Sequence, residues 1–357
     1  MNSTVRGRTE GSVTRYFGNG TTAIYAALRA LGCSEQFVAL PANICPSVIA
    51  AIRESSNRPL FVDIERDSYG LAPDRLAGVI GEVGAVIAVH AFGIPCQIAG
   101  LAALCRTHGI PLIEDCALAE GACVQGIPVG NFGDVAIFSY GAGKIFSLGE
   151  GGASQTRDRS LAKKLEAEHS FLRVGAQTKA SEGLDVFFKF IYNNFYPDDL
   201  ECVRRAFTVY LEDNGSALLR GFDERLRERI AQGLRSLQEN VAARHAKCQR
   251  YEALLDRQPG LKLMRFPAEA APWRFNLLVE PALRDRLLRT LLRERFRVSS
   301  WYTDISSFLH ADAYRATDLT NSRWLSDRIL NLWVDADTTD NEIESVSRRI
   351  LDLVRNE

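Results

Sequence analysis

An α/β fold, with a large domain built on a mostly parallel sheet and a smaller α+β unit after it, is predicted by two features of the 357-residue sequence. From residue 20 to about 160, helical patterns alternate with short runs that are almost continuously apolar, as strands covered on both faces must be. A long, charged, amphipathic stretch over residues 223–257 then leads away from this alternation, and a second set of short strands and helices follows.

The elements can be read in order. GTTAIYAALRALG (20–32) carries apolar residues at helical spacing and stops at Gly32. FVALP, PLFVDI, GAVIAVH, IPLIEDC and GDVAIFSY read as strands, with CPSVIAAIRES and QIAGLAALCRTHG as helices between them. Sheets of this kind bind ligands at the carboxyl ends of their strands, which draws attention to His90, Glu114, Asp115 and Ser139. Residues 223–257 predict one long helix or two. Strands near 260–264 and 273–280 and helices near 283–295 and 339–355 complete the smaller unit. The expected division is a large domain over 1–240, with an irregular or lid-like insertion at 174–220, and a small domain over 241–357. Within the insertion, LDVFFKFIYNNFY (184–196) reads as a buried helix or an apolar pocket wall, being too short and polar to cross a bilayer.

Composition narrows the partners. Lys and Arg total 43 against 44 for Asp and Glu, so no net field favours nucleic acid or an anionic membrane, and a small-molecule substrate is expected. The N-terminal residues lack the apolar core of a signal peptide and no run reaches membrane-helix length, so a cytoplasmic protein is expected. The eight cysteines sit mostly in apolar segments and form no C-x-x-C pair, which predicts reduced thiols and no zinc site.

Three segments carry chemistry. FSYGAGKIFSLGEGG (138–152) sets Lys144 in a Gly-rich loop of a chain that otherwise prefers arginine. An amine drawn partly out of water is freed to attack a carbonyl and form a Schiff base. An ordinary loop lysine is the alternative, and a P-loop is excluded because no Ser or Thr follows Lys144. PLIEDCALAEGA (111–122) delivers Asp115 to a strand end, where a carboxylate can hold a pyridine nitrogen protonated. A metal ligand or helix cap is the alternative there, with metal disfavoured because no His lies at ligand spacing. Finally, GNGTT (18–22) opens a helix, which suits a phosphate, or is simply an N-cap by Asn19 or Thr21.

In order, these segments resemble the DegT/DnrJ/EryC1/StrS family, the sugar-aminotransferase branch of fold type I pyridoxal-phosphate enzymes, over about residues 17–355. The resemblance is carried by Asn19-Gly20-Thr21-Thr22-Ala23-Ile24, Pro59 to Ile64, Ile113 to Ala117, Gly130 to Tyr140, Gly143 to Gly152, and the ending LSDRILNLWVDADTTDNEIESV. It implies pyridoxal 5'-phosphate as cofactor, with Lys144 as the Schiff-base lysine and Asp115 at the pyridine nitrogen. It further implies Ser139 on the cofactor phosphate, Gly20 and Thr21 supplying backbone and hydroxyl to it, and a homodimer with each active site at the interface.

Departures fall at four positions. Leu118 replaces a glutamine, and Cys45 replaces the aromatic that stacks on the cofactor ring. Asp223 stands where an asparagine reaches the partner's phosphate, and Trp301 precedes Tyr302 where the family has His. A carboxylate at 223 would face a group of like charge, so it turns away, is neutralised by Arg220 or Arg225, or is held protonated, the first two being favoured because arginine flanks it on both sides. The retained lysine separates the chain from the family's dehydratase branch. The expected reaction is transfer of an amino group from a small-molecule donor, glutamate, to a keto-sugar or related ketone, nucleotide-linked or not. The alternatives are another pyridoxal-phosphate reaction on an amino acid, such as elimination, decarboxylation or condensation, and a cofactor-binding sensor without turnover.

Overall fold

A computed structural model describes residues 11–174, 205–209, 211 and 215–355. The aromatic segment 184–196 lies outside the described residues, as does most of the expected insertion.

An eight-stranded sheet forms the large domain, in the order β1-β9-β8-β5-β4-β2-β3-β13. Its centre is parallel: β2 (Phe37–Pro41), β3 (Arg58–Val62), β4 (Val83–Val89), β5 (Leu112–Asp115) and β8 (Val135–Ser139) all run the same way. β9 (Gly152–Thr156) is antiparallel to β8, and β1 (Val13–Phe17) is antiparallel to β9. β6 (Cys123–Val124) and β7 (Ile127–Pro128) make a separate short hairpin.

The continuous apolar runs are explained by burial on both faces. Along β4, Ala85, Ile87 and Val89 enter the main core, whereas Val86 and Ala88 enter a second cluster beneath the opposite helices. Helix α1 (Gly20–Ala30), α2 (Pro46–Glu54) and α5 (Arg159–Ser170) pack on the first face, and α3 (Pro73–Ala77) and α4 (Ile98–His108) on the second. α4 ends as its sequence predicts, with Gly109 in the left-handed conformation at φ 64°.

The charged stretch forms two helices, α6 (Leu226–Arg235) and α7 (Leu237–Leu255), broken at Ser236. The division expected at 240/241 therefore falls inside a continuous helix. After α7 comes an antiparallel sheet, β10-β11-β14-β12, made of Leu261–Leu263, Phe275–Val279, Ile329–Leu332 and Val298–Ser299. Helices α8 (Pro281–Arg293) and α10 (Asp340–Arg355) share a core with this sheet, α7 lying against α10.

The C-terminal half does not stay separate. Its strand β13 (Arg315–Ala316) adds to the edge of the large sheet beside β3, and Tyr302, Ile305, Phe308 and Leu319 enter the large core. Asp63, just past β3, accepts the N–H groups of Asn321 (3.0 Å) and Ser322 (2.9 Å) at the start of α9 (Thr320–Arg328). A linear division by residue number misses this crossing because chain returning to an earlier domain leaves no compositional mark. No helix among the described residues is long and apolar enough to cross a membrane.

Candidate active site

The parallel strands deliver their last residues to one edge of the sheet, and the polar residues expected there are found there. Asp115 closes β5, Ser139 closes β8, and His90 follows β4. Asn43 and Cys45 follow β2; Asn43 Nδ2 donates to the carbonyls of Tyr302 and Ser322, both at 3.1 Å. This pair of bonds pins a C-terminal segment over the sheet edge.

A small cavity results, lined by Lys144, Asp115, Cys45, Leu118, Asn43 and Tyr302 among others. Lys144 and Asp115, 29 positions apart in sequence, thus face one space. Lys144 is half-buried. Its loop needs glycine: Gly143, Gly149 and Gly151 have φ of 74°, 86° and 96°, a region costly for residues with a Cβ. The C-terminal half grips the same loop, because Trp273 Nε1 donates to the Gly143 carbonyl at 2.6 Å.

Asp115 is buried, and one carboxylate oxygen accepts the Ala117 N–H at 2.9 Å. Burial pushes its carboxyl above the usual value, opposed by that N–H bond and by nearby Lys144. Its neighbour Glu114 points the other way into a sealed network. Glu114 accepts from the backbone N–H groups of Gly130 (2.5 Å), Phe132 (2.9 Å) and Gly133 (3.1 Å). His90 Nε2 lies 3.0 Å from Glu114 Oε1, while His90 Nδ1 accepts the Cys96 N–H at 3.1 Å. The imidazole therefore carries its proton on Nε2. Burial works to raise the Glu114 carboxyl, but the bonds from His90, Gly130 and Phe132 hold it below the usual value.

Sequence spacing gave no histidine near these carboxylates, and the structure corrects that: His90, Glu114 and Cys116 bring their donor atoms within 4.8 Å of one another. The arrangement suits hydrogen bonding better than metal ligation, since His90 and Glu114 already spend their lone pairs on N–H donors.

The expected phosphate-binding residues gather one strand further along. Ser139 sits against the start of α1: a Cβ on Gly20 would fall 3.1 Å from Ser139 Cβ and 3.3 Å from its Oγ. Close approach is also enforced at Gly152, whose Cβ would lie 2.3 Å from Asn19 backbone. Asn19 is the N-cap, accepting the Thr22 N–H at 2.8 Å. Capping leaves room for an anion, because a helix start leaves several N–H groups without acceptors and Asn19 takes one. Gly20, Thr21 and Ser139 border the sheet edge but do not line the cavity. Asp223 also lies outside the cavity lining. It is paired with Arg225, with Nε at 3.0 Å from both carboxylate oxygens and Nη2 at 2.6 Å from Oδ2, and this partner lowers its carboxyl below the usual value.

These residues fit pyridoxal phosphate. A buried acidic group at the end of β5, an amine across the same cavity and a helix start beside a serine offer partners for its ring nitrogen, aldehyde and phosphate. The sequence did not assign Asn43 or Tyr302 to the site, although the departure at Trp301 pointed to their neighbourhood.

Sheet order and site together define the α/β class of aminotransferases that carry their cofactor at a sheet edge. Residues 14–351 match the DegT/DnrJ/EryC1/StrS aminotransferase family, and the chain belongs to that family, whose enzymes work with pyridoxal phosphate. Among its relatives, Protein MosB of Rhizobium meliloti is 36% identical over 222 residues, 60% of this chain and 41% of that protein. GDP-perosamine synthase of Escherichia coli O157:H7 is 34% identical over 145 residues, 40% of each chain. The matches span about two-fifths of these curated relatives' lengths. A DegT DnrJ EryC1 StrS aminotransferase structure from Brucella abortus shares the fold, with TM-score 0.71 and 22% identity over 96% of this chain and 85% of that one.

Proposed function

We propose that this chain is a pyridoxal-phosphate-dependent aminotransferase that moves an amino group from a small amino acid, glutamate, to a keto-sugar, nucleotide-linked or free, or a related ketone. The observation that carries the reading is the shared cavity of Lys144 and Asp115. The substrate class draws on membership of the family and on relatives such as GDP-perosamine synthase.

When bound, the cofactor supplies an aldehyde that accepts the amino group and an electron-poor ring that stabilises charge on the neighbouring carbon. Lys144 Nζ holds the cofactor before substrate arrives and afterwards takes the proton from the donor's α-carbon. Asp115 keeps a proton on the ring nitrogen; a carboxylate facing a pyridinium escapes much of the cost that burial now imposes on it. The first-turn N–H groups of Gly20 and Thr21, with the Ser139 hydroxyl, hold the phosphate. Cys45 and Leu118 give the cavity an apolar wall where the family has an aromatic and a glutamine. Residues up to about 240 serve as the cofactor-binding domain together with the returning segment around Tyr302–Leu319, the rest of 241–357 serves as the small domain, and two copies pair so that Asp223 approaches the other copy's site.

Adding L-glutamate to the cofactor-loaded protein and recording its visible spectrum tests the reading. Loss of the visible band, with 2-oxoglutarate released in equal amount, is expected. A band unmoved by any amino donor rejects transamination, and product released without loss of the band favours a different reaction on the amino acid.

A further inference from the structure

Among the described residues Arg274 is a buried cation without an anion. Its side chain is 5% exposed and its guanidinium lies among three indoles, 4.0 Å from the ring centre of Trp273, 4.7 Å from Trp301 and 3.6 Å from Trp333. Its one hydrogen bond among the described residues runs from Nη1 to Ser299 Oγ at 2.6 Å. Ser299 is itself held by Asn331 Oδ1 at 2.6 Å, and Asn331 by Asn276 at 2.8 Å, so the acceptor is fixed in place. Among the described residues no carboxylate forms an ion pair with Arg274. Burial lowers its pKa to about 9, with Tyr302 and Asp335 working against the shift. The other buried arginine nearby, Arg244, is different, because five bonds tie it to Asn240 and to the carbonyls of Pro272, Trp273, Lys144 and Ile145.

The position of this guanidinium is informative. A Cβ on Gly143 would fall 3.9 Å from Arg274 Nη2, so the cation sits against the residue that precedes Lys144. Its neighbour Trp273 stacks on Tyr302, which lines the Lys144 cavity, and Trp301 meets the same ring at a tilt. The indoles pack around the guanidinium, and among the described residues its edge of five N–H donors meets one acceptor, Ser299 Oγ. That edge matches a planar carboxylate by two parallel hydrogen bonds.

We infer that Arg274 anchors the α-carboxylate of the amino-acid donor. The inference rests on the aminotransferase reading and names how that site selects its donor. In an α-amino acid one carbon separates the amine from the carboxylate, so a carboxylate anchor has to lie close to the lysine, as Arg274 does. The diphosphate of a nucleotide-linked sugar is a hydrated polyanion remote from the reacting carbon, and a single cation in an apolar box suits it poorly.

Two arms test this on the cofactor-loaded protein, with Arg274→Leu, Arg274→Gln and Arg274→Lys compared to wild type. In the first, calorimetry measures glutarate, a dicarboxylate that lacks the amine. Arg274→Leu and Arg274→Gln should weaken it at least tenfold, Arg274→Lys less, with the visible band of the cofactor unchanged in all three. In the second, single-turnover spectra should show the half-saturating L-glutamate concentration raised at least tenfold, while the rate with propylamine, which has no carboxylate, stays as in wild type. Glutarate and glutamate bound equally by wild type and Arg274→Leu would overturn the inference. So would weakened binding of GDP, a stand-in for a nucleotide sugar, with glutarate unaffected. If wild type shows no half-reaction with any donor, the aminotransferase reading fails, and the glutarate arm still decides whether Arg274 holds a carboxylate.

Discussion

Arg244 on α7 reaches across to the Lys144 loop and donates from Nη2 to the carbonyl of Ile145 at 3.2 Å, the residue immediately after Lys144. Asn240, one turn earlier, donates to the same oxygen at 2.8 Å and accepts from Arg244 Nε at 2.8 Å. Together with the Trp273–Gly143 bond, these contacts make the conformation of the Lys144 loop depend on chain a hundred residues further on.

Arg244→Met should therefore cost stability and loosen the loop. Removing the guanidinium leaves the carbonyls of Pro272 and Trp273 short of a donor, worth roughly 1.5–3 kcal/mol when a charged donor is lost. Denaturant unfolding would measure it. A change under about 0.5 kcal/mol, within the ordinary scatter of surface substitutions, would show that Arg244 does not support the loop.

Asp115 gives a pH-dependent prediction. Its folded-state pKa is raised by burial, so without cofactor the ionised carboxylate destabilises the fold above that value. The cost fades as pH falls through the raised pKa and vanishes below the ordinary aspartate value of about 3.9. Asp115→Asn should raise the melting temperature of the cofactor-free protein near pH 7.5, with the gain disappearing toward pH 4. Loading with cofactor should reverse the order, since only the carboxylate sustains a pyridinium. An Asn variant less stable than wild type without cofactor at pH 7.5 would contradict the account.

Glu114 has the opposite sign. Its pKa is held below the usual value by His90 and backbone N–H groups, so its stabilising effect is full above the unfolded-state value of about 4.3 and lost as pH falls through the lower folded-state one. Glu114→Gln places an amide among N–H donors and loses charge-assisted bonds, each worth roughly 1.5–3 kcal/mol. Urea midpoints at pH 7 should drop clearly, and the variant's acid unfolding should flatten. Equal midpoints would show that the network contributes nothing to the fold.

Much of the fold was legible because it follows from burial. β2, β4 and β5 are apolar on both faces, and α1 and α4 carry helical spacing with glycine stops. β1, at the sheet edge, is half-exposed over four of its five residues and has no such signature. β13 has two exposed residues and exists only through pairing with β3. Lys144 and Asp115 were visible because each sits in a distinctive local segment at a strand end. Arg274, Tyr302 and Asn43 were not, since they come near the cavity only through contacts over sequence distances such as the 259 positions between Asn43 and Tyr302. The His90–Glu114 contact was missed for the same reason: neighbouring parallel strands bring together residues that spacing keeps 24 apart.

At Asp223, the ion pair with Arg225 bears on the awkward like-charge position. Asp223→Asn should leave cofactor affinity equal or tighter and the oligomeric state unchanged, because the carboxylate is already engaged within its own chain. Fluorescence titration of the cofactor would read this. Affinity weakened tenfold or more would assign Asp223 a positive role and overturn the placement of the partner-subunit contact.

The central claim is that Lys144 holds pyridoxal phosphate across the cavity from Asp115. Borohydride reduction of the cofactor-loaded protein, followed by proteolysis and mass spectrometry, tests it most directly. The account predicts one modified peptide, bearing the reduced cofactor on Lys144, and none from Lys144→Ala. Modification confined to another lysine, such as Lys163, Lys164 or Lys247, or no modified peptide at all, would contradict it.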